Sequence, residues 1–312
     1  TYTMMTLREY LQLKNGTDVR GIATEGIAGE EVNLTPEAAE AIAEAFAKWL
    51  CRRTGKSPLR IAVGHDSRIS SPALSESVLK GIERTGNVAI FTHLSSTPSM
   101  FMLLKDERWS ADGSVMITAS HLPFNRNGLK FFTAEGGLES GDVKEILTLA
   151  SEAPFPEKAG GSRIEKPYLD AYAQDLVEKV RRATGETQPL KGKRILVDAG
   201  NGAGGFYVDK VLKPLGADTT GSQFLEPDGR FPNHIPNPEN ETAMRSVCEA
   251  VKKYGADFGI IFDTDVDRAG AVDKNGEEIN RNRLIALISA VLLSERAGTI
   301  VTDSVSYTHL RA

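Results

Sequence analysis

The sequence predicts an α/β protein: tandem layered α/β domains with mixed, largely parallel sheets. Three observations carry the prediction. From Leu59 onward short apolar runs alternate with helical segments, and the same alternation resumes at Arg194. Between the two, residues 152–161 hold two prolines and a Gly-Gly, the composition of a linker. Strands and helices alternating at these lengths build layers around a sheet. The first unit is expected over 1–155 and the second over 156–280, with 281–312 left as the opening of another.

A length of 312 residues suits two or three domains. Net charge is 37 − 42 = −5, with both signs interspersed and no long basic run, so a nucleic-acid partner is not expected. Cys51 and Cys248 form no CxxC pair, which indicates neither a zinc site nor a disulfide framework and fits a reducing cytoplasm. The longest apolar run, 284–293, is too short for a bilayer span of about 20 residues, and no signal peptide is legible. No membrane partner is expected.

Taken in order, residues 15–21 (Asn-Gly-Thr-Asp-Val-Arg-Gly) read as a sharply turning loop that presents Arg20, whose planar fork matches phosphate oxygens; a solvated turn arginine is the commoner reading. Thr35 caps a helix with Pro36 in its first turn, Ala39, Ile42, Phe46 and Trp49 on one stripe, and Gly55 at its end. Strands are expected over 60–63, 88–94 and 115–118, and helices over 72–84, 98–105 and 141–150. The loops after these strands gather His65, Asp66, Ser67 and Arg68, then Ser95, Ser96 and Thr97, then Ser120 and His121. Ligands of open α/β sheets bind off the carboxyl ends of strands, so a site is expected there.

Residues 167–182 form an amphipathic packing helix. The second unit reads as strand 194–197, helix 205–215, strand 219–225, an irregular proline-rich loop over 226–238, helix 239–253 and strand 258–262. Gly200, Gly202 and Gly205 match a dinucleotide-binding fingerprint, but Pro227 directly follows Glu226, the acidic residue that would hold the ribose. A tight strand-to-helix turn is the preferred reading of these glycines.

Two stretches carry chemistry. An apolar run stops at Thr118-Ala119-Ser120-His121, and a second restarts at Leu129 beside Lys130. Serine is a poor nucleophile unless a base takes its proton or it already carries a group to hand on; His121 and Lys130 are the candidate proton carriers. Ordinary loop chemistry also accounts for such a turn. In the other stretch, Asp263-Thr264-Asp265-Val266-Asp267-Arg268, three carboxylates at alternate positions would repel in a poorly hydrated cleft, so a hard divalent cation is their natural counterpart. A calcium loop of the EF-hand type is disfavoured, because Arg268 and Lys274 stand where its glycine and glutamate belong.

Together and in this order, these stretches resemble the α-D-phosphohexomutase family. Thr118 to Pro123 with Asn127-Gly128-Leu129-Lys130 resembles its phosphoserine loop and following NGxK, and Asp263 to Arg268 its DGDxDR metal loop. Gly16 to Gly21 is similar to its N-terminal GTDGxRG, Val197-Asp198 with Asn201-Gly202-Ala203-Gly204-Gly205 to its second-domain turn, and Pro227 to Pro232 with Pro236-Asn237-Pro238 to its proline loop. Leu122 stands where the family usually has asparagine, and Thr264 where it usually has glycine. The resemblance implies phosphohexomutase domains I and II plus the start of domain III, where a helix over 283–294 and a strand over 299–302 are expected. Residues 306–312 match nothing expected there, so the sequence reads as truncated within that domain.

The resemblance further implies an isomerase of carbohydrate metabolism: an intramolecular phosphotransferase interconverting hexose 1-phosphate and hexose 6-phosphate, of glucose or mannose. Ser120 would carry the phosphate, Asp263, Asp265 and Asp267 with Ser120 would hold one Mg2+, and Arg20 and Arg268 would neutralise phosphate oxygens. Lys130, ahead of His121, would shuttle the hydroxyl proton, and a hexose 1,6-bisphosphate would be intermediate and activator. Two alternatives stand beside this one. Asp263 could be the nucleophile of a haloacid-dehalogenase-like phosphatase, or the chain could be an inactive fragment that only binds metal or phosphate.

Overall fold

The computed structural model describes residues 4–302; residues 306–312, whose sequence departs from the family pattern, lie outside the described residues. The first unit is built on one mixed sheet. Its strands are β1 (Lys14–Asn15), β2 (Asp18–Ile22), β3 (Arg60–His65), β4 (Val88–Leu94), β5 (Gly113–Ile117), β6 (Arg126–Thr133), β7 (Gly136–Gly137) and β8 (Ser162–Glu165). The order is β1-β2-β6-β5-β3-β4-β8, with β7 paired to β6. The centre, β5-β3-β4-β8, is parallel, and β6 and β2 extend it antiparallel.

Helices cover both faces: α1 (Leu7–Gln12), α2 (Pro36–Thr54), α3 (Ser71–Arg84), α4 (Thr97–Met102) and α5 (Ser140–Ala150). The capping signals of α2 act as the sequence predicts. The Thr35 hydroxyl accepts the Ala38 N–H at 3.1 Å, and Gly55 closes the helix at φ +70°, a conformation that costs glycine little. Ile42, Phe46 and Leu50 are fully buried, and the Phe46 ring lies 4.7 Å from that of Phe131 on β6. Burial of each such side chain contributes about 1.5–3 kcal/mol.

The second unit is a four-stranded sheet in the order β12-β11-β10-β9, with β9 (Ile195–Asp198) parallel to β10 (Phe258–Phe262) and the hairpin β11 (Ala269–Val272) and β12 (Glu278–Ile279) antiparallel. Helix α7 (Glu241–Tyr254) buries Met244, Val247 and Val251 against it. Helix α6 (Leu169–Thr184) packs between the units: Leu169 and Tyr172 join the core of the first, while Ala173 and Val177 meet Val211 and Leu215 of the second. Helix α8 (Arg281–Glu295) follows β12. Among the described residues no helix is long and apolar enough to cross a membrane.

Five local expectations change. The 15–21 stretch is a hairpin rather than a loop, because β2 finds a ladder partner far along the chain, with Val19 opposite Leu129 and Arg20 opposite Gly128. Residues 162–165, unassigned in the sequence, form β8 by pairing with β4. The helix expected over 205–215 narrows to a wide turn at Val208–Leu212, where Lys213 and Ala217 donate N–H groups five residues back at 3.0 Å; Pro214 has no N–H to continue an ordinary helix. The strand expected over 219–225 is reduced to two bridges, Asp218 to Arg194 and Gln223 to Asp198, because Ser222 folds back on the Thr219 carbonyl. The strand expected over 299–302 does not form: no neighbouring strand lies beside it among the described residues, and Val301 is 89% exposed.

Candidate active site

The carboxyl ends of β3, β4, β5 and β10 place four loops together. Thr118 and Ala119 continue β5 into the interior, and Ser120 turns out of it at φ +52°, a left-handed conformation that a non-glycine residue adopts only when its surroundings enforce it. Here the enforcing group is Arg68. Its side chain is fully buried and hands its N–H groups to four main-chain carbonyls: Ser120 (2.6 Å), Leu122 (2.9 Å), Pro123 (2.8 Å) and Arg126 (3.1 Å). Asp66 completes the frame by accepting the Thr118 hydroxyl at 2.6 Å, and Thr118 in turn accepts the Ser120 N–H at 3.0 Å. Leu122 takes part through its carbonyl, so this departure from the family pattern leaves the clamp intact.

The Ser120 hydroxyl donates to Asp263 Oδ2 at 3.2 Å, across from the first unit to the second. Asp263, Asp265 and Asp267 bring one carboxylate oxygen each within 4.8 Å of one another. Burial, then the neighbouring charges of Asp265 and Asp267, push the Asp263 carboxyl up to about 9. Asp265 Oδ1 is buried without a hydrogen-bond partner. Hard oxygen donors, mutual repulsion and a buried oxygen without a partner are the attributes of a divalent-cation site, and the acidic triad can hold a metal ion.

Arg268 and His121 meet at this junction, with Arg268 Nη1 donating to His121 Nδ1 at 3.2 Å. Burial first, and then the charges of Arg268 and Arg20, lower the His121 pKa, so the imidazole is neutral and its Nδ1 is an acceptor. His121 Nδ1 also lies 3.4 Å from Ser120 Oγ. Lys130 on β6 and Arg20 on β2 form a second group, both paired to Asp18: Lys130 Nζ at 2.9 and 3.1 Å, Arg20 Nη2 at 3.0 Å. Among the described residues no hydrogen bond joins Lys130 to Ser120, but the Lys130 charge acts on Asp267 and that of Arg20 on His121.

The glycine turn supports the acidic loop. A Cβ on Gly202 would come within 2.7 Å of the Thr264 carbonyl, and that carbonyl accepts the Ala203 N–H at 2.8 Å. The glycines thus admit a neighbouring stretch of protein backbone, and Thr264 serves the loop through its main chain. Beneath the turn, Asp198 receives the Gly200 N–H at 2.9 Å and His234 Nε2 at 2.8 Å, which pins the proline-rich loop to the end of β9.

Asp18, Asp66, Arg68, Thr97 and Thr118 all support the site, and sequence reasoning gave none of them an individual role. Asp66, Arg68 and Thr97 carry a faint signal as polar residues following strands. Asp18 and Thr118 sit inside the matched motifs, where nothing distinguishes them from their neighbours.

Comparison with known proteins identifies the fold and the family. The family model described as phosphoglucomutase/phosphomannomutase, alpha/beta/alpha domain I, matches residues 12–156, and that of domain II matches residues 167–276. A phosphoglucomutase of Neisseria gonorrhoeae is 32% identical over 296 residues, covering 95% of this chain and 60% of that protein. A phosphoglucomutase/phosphomannomutase of Thermococcus kodakarensis is 32% identical over 290 residues, covering 91% and 61%. The chain thus spans about 60% of the length of these curated relatives. The crystal structure of a phosphoglucomutase/phosphomannomutase family protein from Burkholderia thailandensis superposes with a TM-score of 0.79 at 24% identity, over 95% of this chain and 61% of that one, and shares the fold. None of these comparisons favours a haloacid-dehalogenase-like phosphatase. Two domain models in family order, over a sheet-end cluster of serine and three aspartates, place the chain in the phosphoglucomutase/phosphomannomutase family.

Proposed function

We propose that the chain carries the phosphoryl-transfer half of a phosphohexomutase active site, in which Ser120 relays phosphate between the C1 and C6 oxygens of a hexose, through a hexose 1,6-bisphosphate. The observation that carries this reading is the approach of Ser120 Oγ to Asp263 Oδ2 at 3.2 Å, beside two further convergent aspartates. The names of the relatives support glucose and mannose phosphates as substrates.

Phosphoryl transfer asks a protein for alignment and charge neutralisation more than for covalent help. Arg68 and Thr118 hold Ser120 where its oxygen points away from its own strand and towards the acidic loop. Asp263, Asp265 and Asp267, with Ser120, would hold Mg2+, which when bound supplies positive charge to the phosphate oxygens. Arg268, which donates to His121, and Arg20, whose charge reaches His121, add cationic donors. We assign proton exchange with the sugar hydroxyl to Lys130, held by Asp18, with neutral His121 as the second candidate. The two α/β units are read as domains over 1–155 and 156–280, with 281–312 opening a third.

The test is labelling. After incubation with Mg2+ and glucose 1,6-bisphosphate, mass spectrometry is expected to find phosphate on Ser120, and Ser120→Ala is expected to remove both the label and any mutase turnover. Label on Asp263, or turnover retained by Ser120→Ala, sinks the proposal.

A further inference from the structure

Thr97 opens α4 at the end of β4, and it makes two bonds to the acidic loop of the other unit. Its N–H donates to the Asp265 carbonyl at 2.9 Å, and its hydroxyl donates to Asp265 Oδ2 at 2.5 Å. The main-chain bond alone would dock the helix on the loop. The hydroxyl bond goes further, because it engages one oxygen of the carboxylate itself. Thr97 is itself held firmly: it is 7% exposed, and Ser96 and Ser99 lock the start of α4 in a reciprocal capping box.

The result is a carboxylate with two unlike oxygens. Oδ2 is taken, and Oδ1 is buried with no hydrogen-bond partner. A buried acceptor left unmatched costs free energy, and it is tolerated where another group completes it. On Asp263 one oxygen is likewise taken by the protein, Oδ1 accepting the Arg268 N–H at 3.1 Å, but Oδ2 also has a partner, the Ser120 hydroxyl at 3.2 Å.

We propose that Thr97 is a positioning residue that restricts Asp265 to a single free oxygen, so that the loop offers one-oxygen carboxylate ligands and takes Mg2+ in preference to Ca2+. Mg2+ demands a small octahedral shell, whereas Ca2+ gathers six to eight oxygens and readily uses both oxygens of a carboxylate. This rests on the reading of the acidic loop as a metal site. Removing the hydroxyl frees Oδ2 and permits two-oxygen coordination.

The experiment is calorimetric titration of Mg2+ and of Ca2+ into the chain and its Thr97→Ser, Thr97→Val and Asp265→Asn variants, with folding checked by near-ultraviolet circular dichroism. Thr97→Val, nearly isosteric and retaining the main-chain bond, is expected to lower the ratio of Mg2+ to Ca2+ affinity about tenfold, the lower end of what outer-shell partners of metal ligands are worth. Thr97→Ser, which keeps the hydroxyl, is expected to restore it. A folded Thr97→Val with an unchanged ratio overturns the role of Thr97 while leaving the metal site standing. No binding by the wild-type chain, or undiminished binding by Asp265→Asn, overturns the metal reading and this inference with it.

Discussion

Arg68 is where a single residue decides the geometry of the serine. A guanidinium with no exposure to solvent is costly to bury unless it is paired; four carbonyls take the Nη1 and Nη2 groups, and Asp66, 3.5 Å from an Nε that has no hydrogen-bond partner, supplies the opposite charge. In return the loop holds Ser120 in a left-handed conformation worth about 1–3 kcal/mol of strain. Arg68→Met is therefore expected to lower unfolding free energy in urea by about 3–5 kcal/mol, because it leaves Asp66 buried and unpaired. Arg68→Lys retains the charge but lacks the fork that spans several carbonyls. It is expected to fold and to lose most Ser120 labelling by glucose 1,6-bisphosphate; full labelling of that variant would show that the clamp does not govern presentation. The nucleophile was legible as a hydroxyl following an apolar run. The clamp was not, since an arginine after a strand looks alike in sequence whether solvated or buried.

At the scale of elements, the proline-rich loop shows how an irregular segment is held. His234 Nδ1 faces the Ile235 carbonyl at 2.8 Å and Nε2 faces the Asp198 carboxylate at 2.8 Å, so both ring nitrogens meet acceptors and the doubly protonated ring fits best. Burial works against the charge, but the Asp198 hydrogen bond and charge prevail, and His234 titrates above its ordinary value. With the folded pKa above the unfolded one, the stabilisation is fully present below pH about 6.5 and is lost as pH rises through the folded value. The unfolding free-energy difference between wild type and His234→Gln is accordingly expected to be largest at pH 6 and to shrink towards pH 9; a flat difference across that range would count against the charged pair. Regular elements with strong local signals, such as α2 with its Thr35 cap and Gly55 stop, were legible. Those that depend on a distant partner, β2 on β6 and β8 on β4, were not.

At the scale of the molecule, the two sheets present the carboxyl ends of their parallel strands to one another. Ser120 to Asp263, Thr97 to Asp265 and Arg268 to His121 join them there, while α6 joins them along the side. A cation neutralising the acidic loop should thus stabilise the assembly as well as the site. At about a hundredfold excess over its dissociation constant, binding to the folded state alone adds about 2.7 kcal/mol. Mg2+ is expected to raise the thermal transition and EDTA to lower it again. In metal-free buffer Asp263→Asn should unfold no earlier than wild type, since it removes a carboxyl that its surroundings push up to about 9, and Mg2+ should no longer shift its transition. A Mg2+ shift of wild-type size in that variant would separate the stabilisation from the acidic loop.

The sequence by itself determined the fold class, most helices, the serine turn and the acidic loop, because apolar periodicity, capping residues and clustered like charges act over a few neighbouring residues. Only the tertiary structure decided that Ser120 faces Asp263, that Lys130 and Arg20 share Asp18, that Arg68 is a buried clamp, and that Thr97 takes one oxygen of Asp265. Ser120 to Asp263 and Thr97 to Asp265 form only when the two sheets are packed, while Lys130 to Asp18 and Arg68 to the serine loop form within the first unit, and each depends on segments far apart in the chain. Its strength depends on burial and on the pairing of polar groups, which no local stretch of sequence specifies.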